Sequence, residues 1–293
     1  MDRAMTVIAT PPQRWSAGAG VLAVLIALAC QNLGAAIAKT LFGQVGAEGV
    51  AALRIGLAAC LLVAWRRPWR CGLQRGDLGI LALYGAVLGA MNLVIYLAFA
   101  RIPIGIAVGI EVTGPLAVAL LGSRRPLDFL WLAAAVAGLL LLLPVKSSAP
   151  LDPLGVLLAA CSAVCWALYI VLGKRLSAGL GADAVAWGMV IAALIVAPIG
   201  AARAGMALLG PGILGAGLGI ALLSSALPYS LEMAALRRVP AHVFGILVSS
   251  APAVAALAGF MALGERLPPL QWLAIGCIML AMAGSGWGAR RVQ

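Results

Sequence analysis

One glutamate in this chain stands where a charge is expensive. The apolar run from Arg101 to Pro126 is long enough to cross a bilayer and carries positive charge at both ends. Near its centre lie Glu111, Thr113, Gly114 and Pro115. A carboxylate at that depth costs about 2.5–3.5 kcal/mol on insertion scales, so it needs a partner or a task. Pro115 has no backbone N–H, which frees a carbonyl where water is scarce. Three readings of Glu111 stand side by side. It pairs with Arg54, the one basic residue inside a span; it meets a substrate ammonium group; or it carries a proton. Arg54 itself reads as a structural charge.

Other spans carry polar and aromatic residues at helical spacing. Gly85, Gly89, Asn92, Tyr96 and Phe99 form a stripe that runs from small through polar to aromatic, with Tyr84 about 100° round the helix. Its small end resembles a close-packing face. Ser162, Trp166, Tyr169 and Gly173 share a face of a later span. Trp166 lies well inside that span rather than at the interface usual for tryptophan, which favours a cavity wall over plain packing. Ser225, Tyr229 and Glu232 share another face, with Pro228 beside them; Glu232 reads as a surface partner of Arg237. Ser249 and Ser250 precede Pro252, the counterpart of Pro115. Gln31 faces either a cavity or a neighbouring helix, as does Asn32, and the single histidine, His242, reads as interfacial. Kinked backbone near Pro115, Pro228 and Pro252 offers hinges and free donors for a substrate carboxylate.

These residues need elements that hold them in lipid. The 293-residue chain is 64% hydrophobic and 10% charged, where a soluble domain needs about 25% charged residues. It is therefore all-α and integral to the membrane. The net charge of +11 is no nucleic-acid signal, because Lys and Arg sit in pairs between apolar runs with no aromatic interleaving. Six cysteines, mostly inside apolar runs, read as small buried hydrophobes. Cys161 and Cys165 share a helix face, but no histidine or second pair completes a metal site. No metal and no cofactor are expected. The sequence ending at Cys30 faintly resembles a lipoprotein cleavage site, but the apolar run continues to Ala38 and reads as an uncleaved first helix.

With about 20 residues per spanning helix, ten segments fit: 17–38, 46–65, 78–100, 102–122, 127–144, 153–173, 184–202, 211–235, 240–262 and 269–288. Between them, fourteen basic residues fall on one side and five on the other, which places both termini in the cytoplasm. The chain also repeats itself. Arg101-Ile-Pro103 and Arg238-Val-Pro240 lie 137 residues apart, as do Pro115 and Pro252, while Lys39 and Lys174 lie 135 apart. Five helices per half is an odd number, so residues 147–293 re-enter the membrane inverted relative to residues 1–146. Such inverted repeats are a transporter signature, since one half can rock against the other around a central site. Enzyme motifs are missing: there is no phosphate loop, no His-Glu-x-x-His and no paired aspartates.

Three stretches now resemble a known group, the drug/metabolite transporter superfamily with its paired EamA domains. Ala51-Ala-Leu-Arg54 is similar to the arginine-bearing motif of the second helix. Leu263-Gly-Glu-Arg-Leu267, with Gln271 and Gly276, looks like the join between ninth and tenth helices. Ile110-Glu-Val-Thr-Gly-Pro-Leu116, with Ser123-Arg-Arg-Pro126, is similar to the bacterial threonine/homoserine and aromatic amino-acid exporters. The resemblance implies two inverted five-helix EamA repeats in a bacterial inner membrane, exporting amino acids or related metabolites. It implies a central cavity lined by both halves. Ser123-Arg-Arg stands where the second half has Gly264-Glu-Arg, so Glu265 has no acidic counterpart and reads as a helix-end or loop residue.

The expectation is an exporter of small zwitterions by alternating access. Tyr84, Tyr96, Trp166, Tyr169 and Tyr229 would supply apolar walls; Glu111, Asn92, Ser249, Thr113 and Gln31 would hold the polar head group. Such a mixed lining favours broad specificity. Facilitated diffusion is favoured slightly over proton exchange, because no second intramembrane acid forms a relay with Glu111. The partners implied are a small-molecule substrate and the lipid bilayer, with no nucleic acid, and the sequence leaves the oligomeric state open. A multidrug exporter for cations is the alternative, with a passive channel or a membrane enzyme behind it.

Overall fold

The computed structural model describes residues 17–70, 75–121, 126–142, 151–177, 180, 183–228, 231 and 247–289. Among them every regular element is a helix and no strand occurs. In chain order these are α1 (Ala17–Thr40), α2 (Phe42–Arg66), α3 (Leu78–Phe99), α4 (Ile104–Glu111), α5 (Thr113–Leu121), α6 (Pro126–Leu142), α7 (Pro153–Ser177), α8 (Asp183–Ala204), α9 (Pro211–Ala221), α10 (Ala251–Leu263) and α11 (Pro269–Ala289). A π-helical turn, Leu222–Ala226, prolongs α9. Among the described residues, five stretches are long and apolar enough to cross a membrane: Ala19–Thr40, Phe42–Arg66, Leu78–Phe99, Pro153–Leu176 and Asp183–Leu209. The rest are shorter apolar helices.

Local sequence explains many of the ends. Helices α6, α7, α9 and α11 all begin on proline, whose fixed φ suits the first helical position and whose missing N–H would be unpaired there anyway. Asp152 precedes α7 and accepts the Leu154 N–H at 2.9 Å. The hydrogen bond from Arg101, 3.0 Å away, together with that cap holds the Asp152 carboxyl below the usual carboxylate range. Gly264 ends α10 in the left-handed region (φ 67°), open to glycine without strain, and the turn closes with Gly264 N–H donating to Phe260 and Glu265 N–H to Gly259. Three expected spans are not single regular helices among the described residues. The 102–122 segment is broken into α4 and α5, the 211–235 segment passes through the π turn, and the 240–262 segment is interrupted at Ser249 and Ser250.

Polarity is arranged inside out. Large apolar side chains point outward, among them Leu121, Leu194 and Leu280, whereas Asn32, Arg54, Asn92, Ser162, Ser224, Ser225 and Ser249 are buried. That distribution suits lipid, where outward apolar surface costs nothing and polar groups must find partners within the protein. The chain is a multi-pass membrane protein.

Packing runs largely between residues 1–146 and residues 147–293. The most extensive interface joins α2 to α8; α3 lies on α7 and α8, α6 on α11, α4 on α7 and α10, and α1 on α9 and α10. Small residues set the α2–α8 approach. A methyl group on Gly200 would strike Ala52 and the Glu48 carbonyl, so the two backbones touch there, as small residues allow in lipid. Ion pairs pin both ends of this antiparallel pair: Glu48–Arg203 and Arg66–Asp183, each at 3.3 Å.

Candidate functional site

The break between α4 and α5 builds the site. At Val112 the backbone (φ −67°, ψ −10°) leaves the α-helical path. Pro115, at the third position of α5, has no N–H to offer the Glu111 carbonyl. Thr113 compensates locally, its hydroxyl donating to the Ile110 carbonyl at 2.6 Å. Gly114 seats the broken turn directly on α7, its Cα so close to the Ala163 carbonyl that no side chain would fit. In this conformation the Gly114 side of the break is packed directly on a neighbouring helix.

Glu111 closes α4 and projects from this turn. The Ser162 hydroxyl on α7 donates to its Oε1 at 2.6 Å. The same hydroxyl lies 3.2 Å from the Met91 carbonyl of α3. One hydroxyl carries one proton, and the shorter contact goes to the carboxylate. Three helices thus meet at the acid. Glu111 is half-buried, so it is both held and reachable.

Arg54 acts on Glu111 through its charge, and its hydrogen bonds run to a different turn. It is buried on α2, its Nε donating to the Ser225 hydroxyl at 3.0 Å and its Nη2 to the Ser224 carbonyl at 3.1 Å. Both partners belong to the π turn, where wider winding displaces carbonyls from the usual ladder. The guanidinium also lies 5.2 Å from the centre of the Tyr96 ring. Arg54 pins the π turn, while the short contact at Glu111 comes from Ser162.

The remaining expected residues divide into two groups in this conformation. Glu111, Thr113, Gln31, Trp166 and Tyr169 are half-buried, with Pro115 beside them. Asn92, Tyr84, Tyr96 and Ser249 are buried. Asn92 donates to the Leu88 carbonyl of its own helix at 2.9 Å. Tyr84 stacks on Tyr169 with ring centres 5.0 Å apart and lies against Gly188 of α8. Tyr96 packs between Phe42 and Phe99, and its hydroxyl has no hydrogen-bond partner among the described residues. Pro228 and Pro252 are buried. Tyr229, Glu232 and His242 lie outside the described residues.

A second break answers the first. Ser249 and Ser250 interrupt the helix before α10, Pro252 follows, and the Ser250 hydroxyl donates to the Leu247 carbonyl at 2.6 Å. Every member of this device lies 137 residues beyond its equivalent in the first: Ile110 and Leu247, Thr113 and Ser250, Pro115 and Pro252.

Two features escape sequence reasoning. Ser162 shares a helical stripe with Trp166, but nothing in the stripe says which acid it faces. Lys39 and Glu265 form an ion pair at 2.6 Å across 226 positions of chain. The Glu265 signal was present in the Leu263-Gly-Glu-Arg turn, since a glycine cap aims the following side chain back along its helix. No group of three or more metal-ligating side chains occurs among the described residues.

Comparison with known proteins agrees with this architecture. Residues 153–287 match the EamA-like transporter family. The chain is 47% identical to the threonine/homoserine exporter RhtA of Escherichia coli K12 over 272 residues, 92% of each chain. It is 48% identical to RhtA of Salmonella typhimurium LT2 over the same share. An uncharacterized transporter of Bacillus subtilis, YwfM, is 30% identical over 55% of each chain. A crystal structure only 20% identical in sequence has a TM-score of 0.60 and covers 94% of this chain and 97% of that one.

Proposed function

The chain belongs to the EamA-like transporter family, and on that premise we propose that it exports amino acids and related small zwitterions across a bacterial inner membrane. Threonine and homoserine, which the relatives' name specifies, are the first substrates to test. The observation that carries the reading is Glu111: a reachable carboxylate in mid-span, at a helix break, held by one hydroxyl from the other half. A substrate ammonium group can replace that hydroxyl as donor without leaving the acid unpaired, so binding costs little desolvation beyond what the fold has already met. The half-buried Trp166 and Tyr169 offer apolar surface for varied side chains, which supports broad specificity.

Transport proceeds by alternating access of two inverted five-helix repeats, 1–146 and 147–293, with both termini cytoplasmic. The packing supports this. Exchanging the halves turns α1 on α9 and α10 into α7 on α3 and α4, and both pairings are present. The paired breaks at Thr113 and Ser250 support it again. The ion pairs Lys39–Glu265, Arg101–Asp152 and Glu48–Arg203 each join residues that the alternation of spans assigns to one side. Asn92, Ser249 and Gln31, with Tyr84, Tyr96 and Tyr229, complete the lining in the states that expose them. Passage is by facilitated diffusion rather than proton exchange, and the protein is a carrier, not an enzyme.

The test is flux from proteoliposomes loaded with labelled threonine, homoserine, methionine or phenylalanine. Efflux of at least the first two above empty liposomes is expected; no flux for any of the four removes the reading. Glu111→Gln keeps shape and loses charge. Weaker flux with unchanged pH dependence fits facilitated diffusion, and loss of a proton-gradient effect would overturn it.

A further inference from the structure

We propose that Lys39 and Glu265 form a latch that shuts the outer face of the carrier at rest, and that α4 couples this latch to Glu111. The inference rests on the transport reading above and concerns residues to which that reading gives no role.

Four groups converge at one point. Lys39 Nζ, in the last turn of α1, lies 2.6 Å from Glu265 Oε1 and donates also to the Ile102 carbonyl at 3.2 Å. Glu265 Oε2 accepts the Ile104 N–H at 2.9 Å. The pair therefore grips both edges of the turn that enters α4. Its side chains are only 20% and 14% exposed, whereas Arg101 and Arg203 in the neighbouring ion pairs are 44% and 70% exposed. Exposed pairs contribute little to holding a conformation; this one is sheltered and has three hydrogen bonds to hold it.

The latch and the candidate site are two ends of one rigid piece. Helix α4 has eight residues, roughly 10 Å from Ile104 to Glu111. Beyond Glu111 comes the break at Val112, a place for it to pivot. Its near end is fitted to α10 without slack: a methyl on Gly105 would meet Ala256 at 2.6 Å. Glu265 hangs from the glycine cap of that same α10. Helix α4 cannot leave α10 unless Glu265 gives up the Ile104 N–H, and it cannot swing without displacing Glu111.

The pair is closed in this conformation, and a lock at the outer face biases the two-state equilibrium toward closure there, the resting state that lets an exporter load from the cytoplasm.

Accessibility tests this without any substrate. With the six native cysteines replaced, Ala35→Cys places a thiol one turn before Lys39, at a position now 7% exposed. Labelling by a membrane-impermeant maleimide is measured in right-side-out and inverted vesicles. Glu265→Gln or Lys39→Met should speed labelling from the outer face about fivefold, the shift expected when a half-buried ion pair is lost. Lys39→Glu combined with Glu265→Lys should bring the rate part of the way back. Equal rates in all variants, or acceleration in inverted vesicles alone, overturn the proposal. As a second measurement, Lys39→Cys with Glu265→Cys, oxidised to a disulfide, should stop efflux, and reduction should restore it; efflux that continues through the cross-link overturns the latch. Labelling that responds as expected in a protein carrying no amino acid would keep the latch and remove only the substrate assignment.

Discussion

The two helix breaks have the same mechanics and different chemistry. Each has a hydroxyl donating at 2.6 Å to the carbonyl three residues back, followed two residues later by proline. Yet Glu111 in the first is matched by Val248 in the second, and Gly114 by Ala251. The hinge is duplicated, whereas the charge is not. On the proposed carrier reading, two equivalent bending points serve a rocking motion, whereas a single bound zwitterion calls for one carboxylate. The first break is also pressed onto Ala163 of α7, which fixes the acid relative to Ser162.

Erasing that difference should have the largest effect. Glu111→Val makes the first break resemble the second, and Ser162 then keeps the Met91 carbonyl as its acceptor, so the protein should still fold. Transport efficiency should fall about 10- to 100-fold, the worth of one hydrogen bond to a charged group; flux with a melting curve as control decides it, and unchanged flux would take Glu111 out of the site. The reverse change, Val248→Glu, adds a carboxylate with no serine waiting for it, since the residue 135 before Ser162 is Ala27. It should destabilise by about 2.5–3.5 kcal/mol, visible as lower yield and melting temperature. Gly114→Ala should cost about 1–3 kcal/mol by forcing a methyl into the Ala163 carbonyl. Ala251→Gly should cost only about 0.5–1 kcal/mol through backbone entropy. The smallest effects should come from Thr113→Val and Ser250→Ala, about 0.5–1.5 kcal/mol each, and equal in the two halves if the hinges are equivalent.

Much of this was legible in the sequence because membranes constrain it tightly. Composition establishes the helical membrane class, and prolines mark helix starts to within a residue or two, as at Pro153, Pro211 and Pro269. The motifs around Arg54, Glu111 and Glu265 lead to the family. Pro115 advertises a break, and the break is there. What the sequence withholds is direction around each helix. Depth in the bilayer follows from counting residues, which makes a pair with Arg54 one of the readings of the acid. Which face each presents depends on packing between distant spans: Glu111 turns to Ser162, Arg54 to Ser225, and Lys39 to Glu265. A π turn hides for a related reason, since one surplus residue leaves no trace in an apolar composition.

That surplus residue has a genetic consequence. The turn at Leu222–Ala226 behaves like a single-codon insertion that an older, regular helix has accommodated, with Arg54 stapling the excess in place. Deleting Leu223 would let the segment relax to ordinary winding. Pro228 would stay on the face it now occupies, because the wider turn has already absorbed the roughly 100° that an extra residue would otherwise add. The turn therefore lets this span carry one more residue without turning its lining toward lipid, at the cost of displaced carbonyls that Arg54 must satisfy.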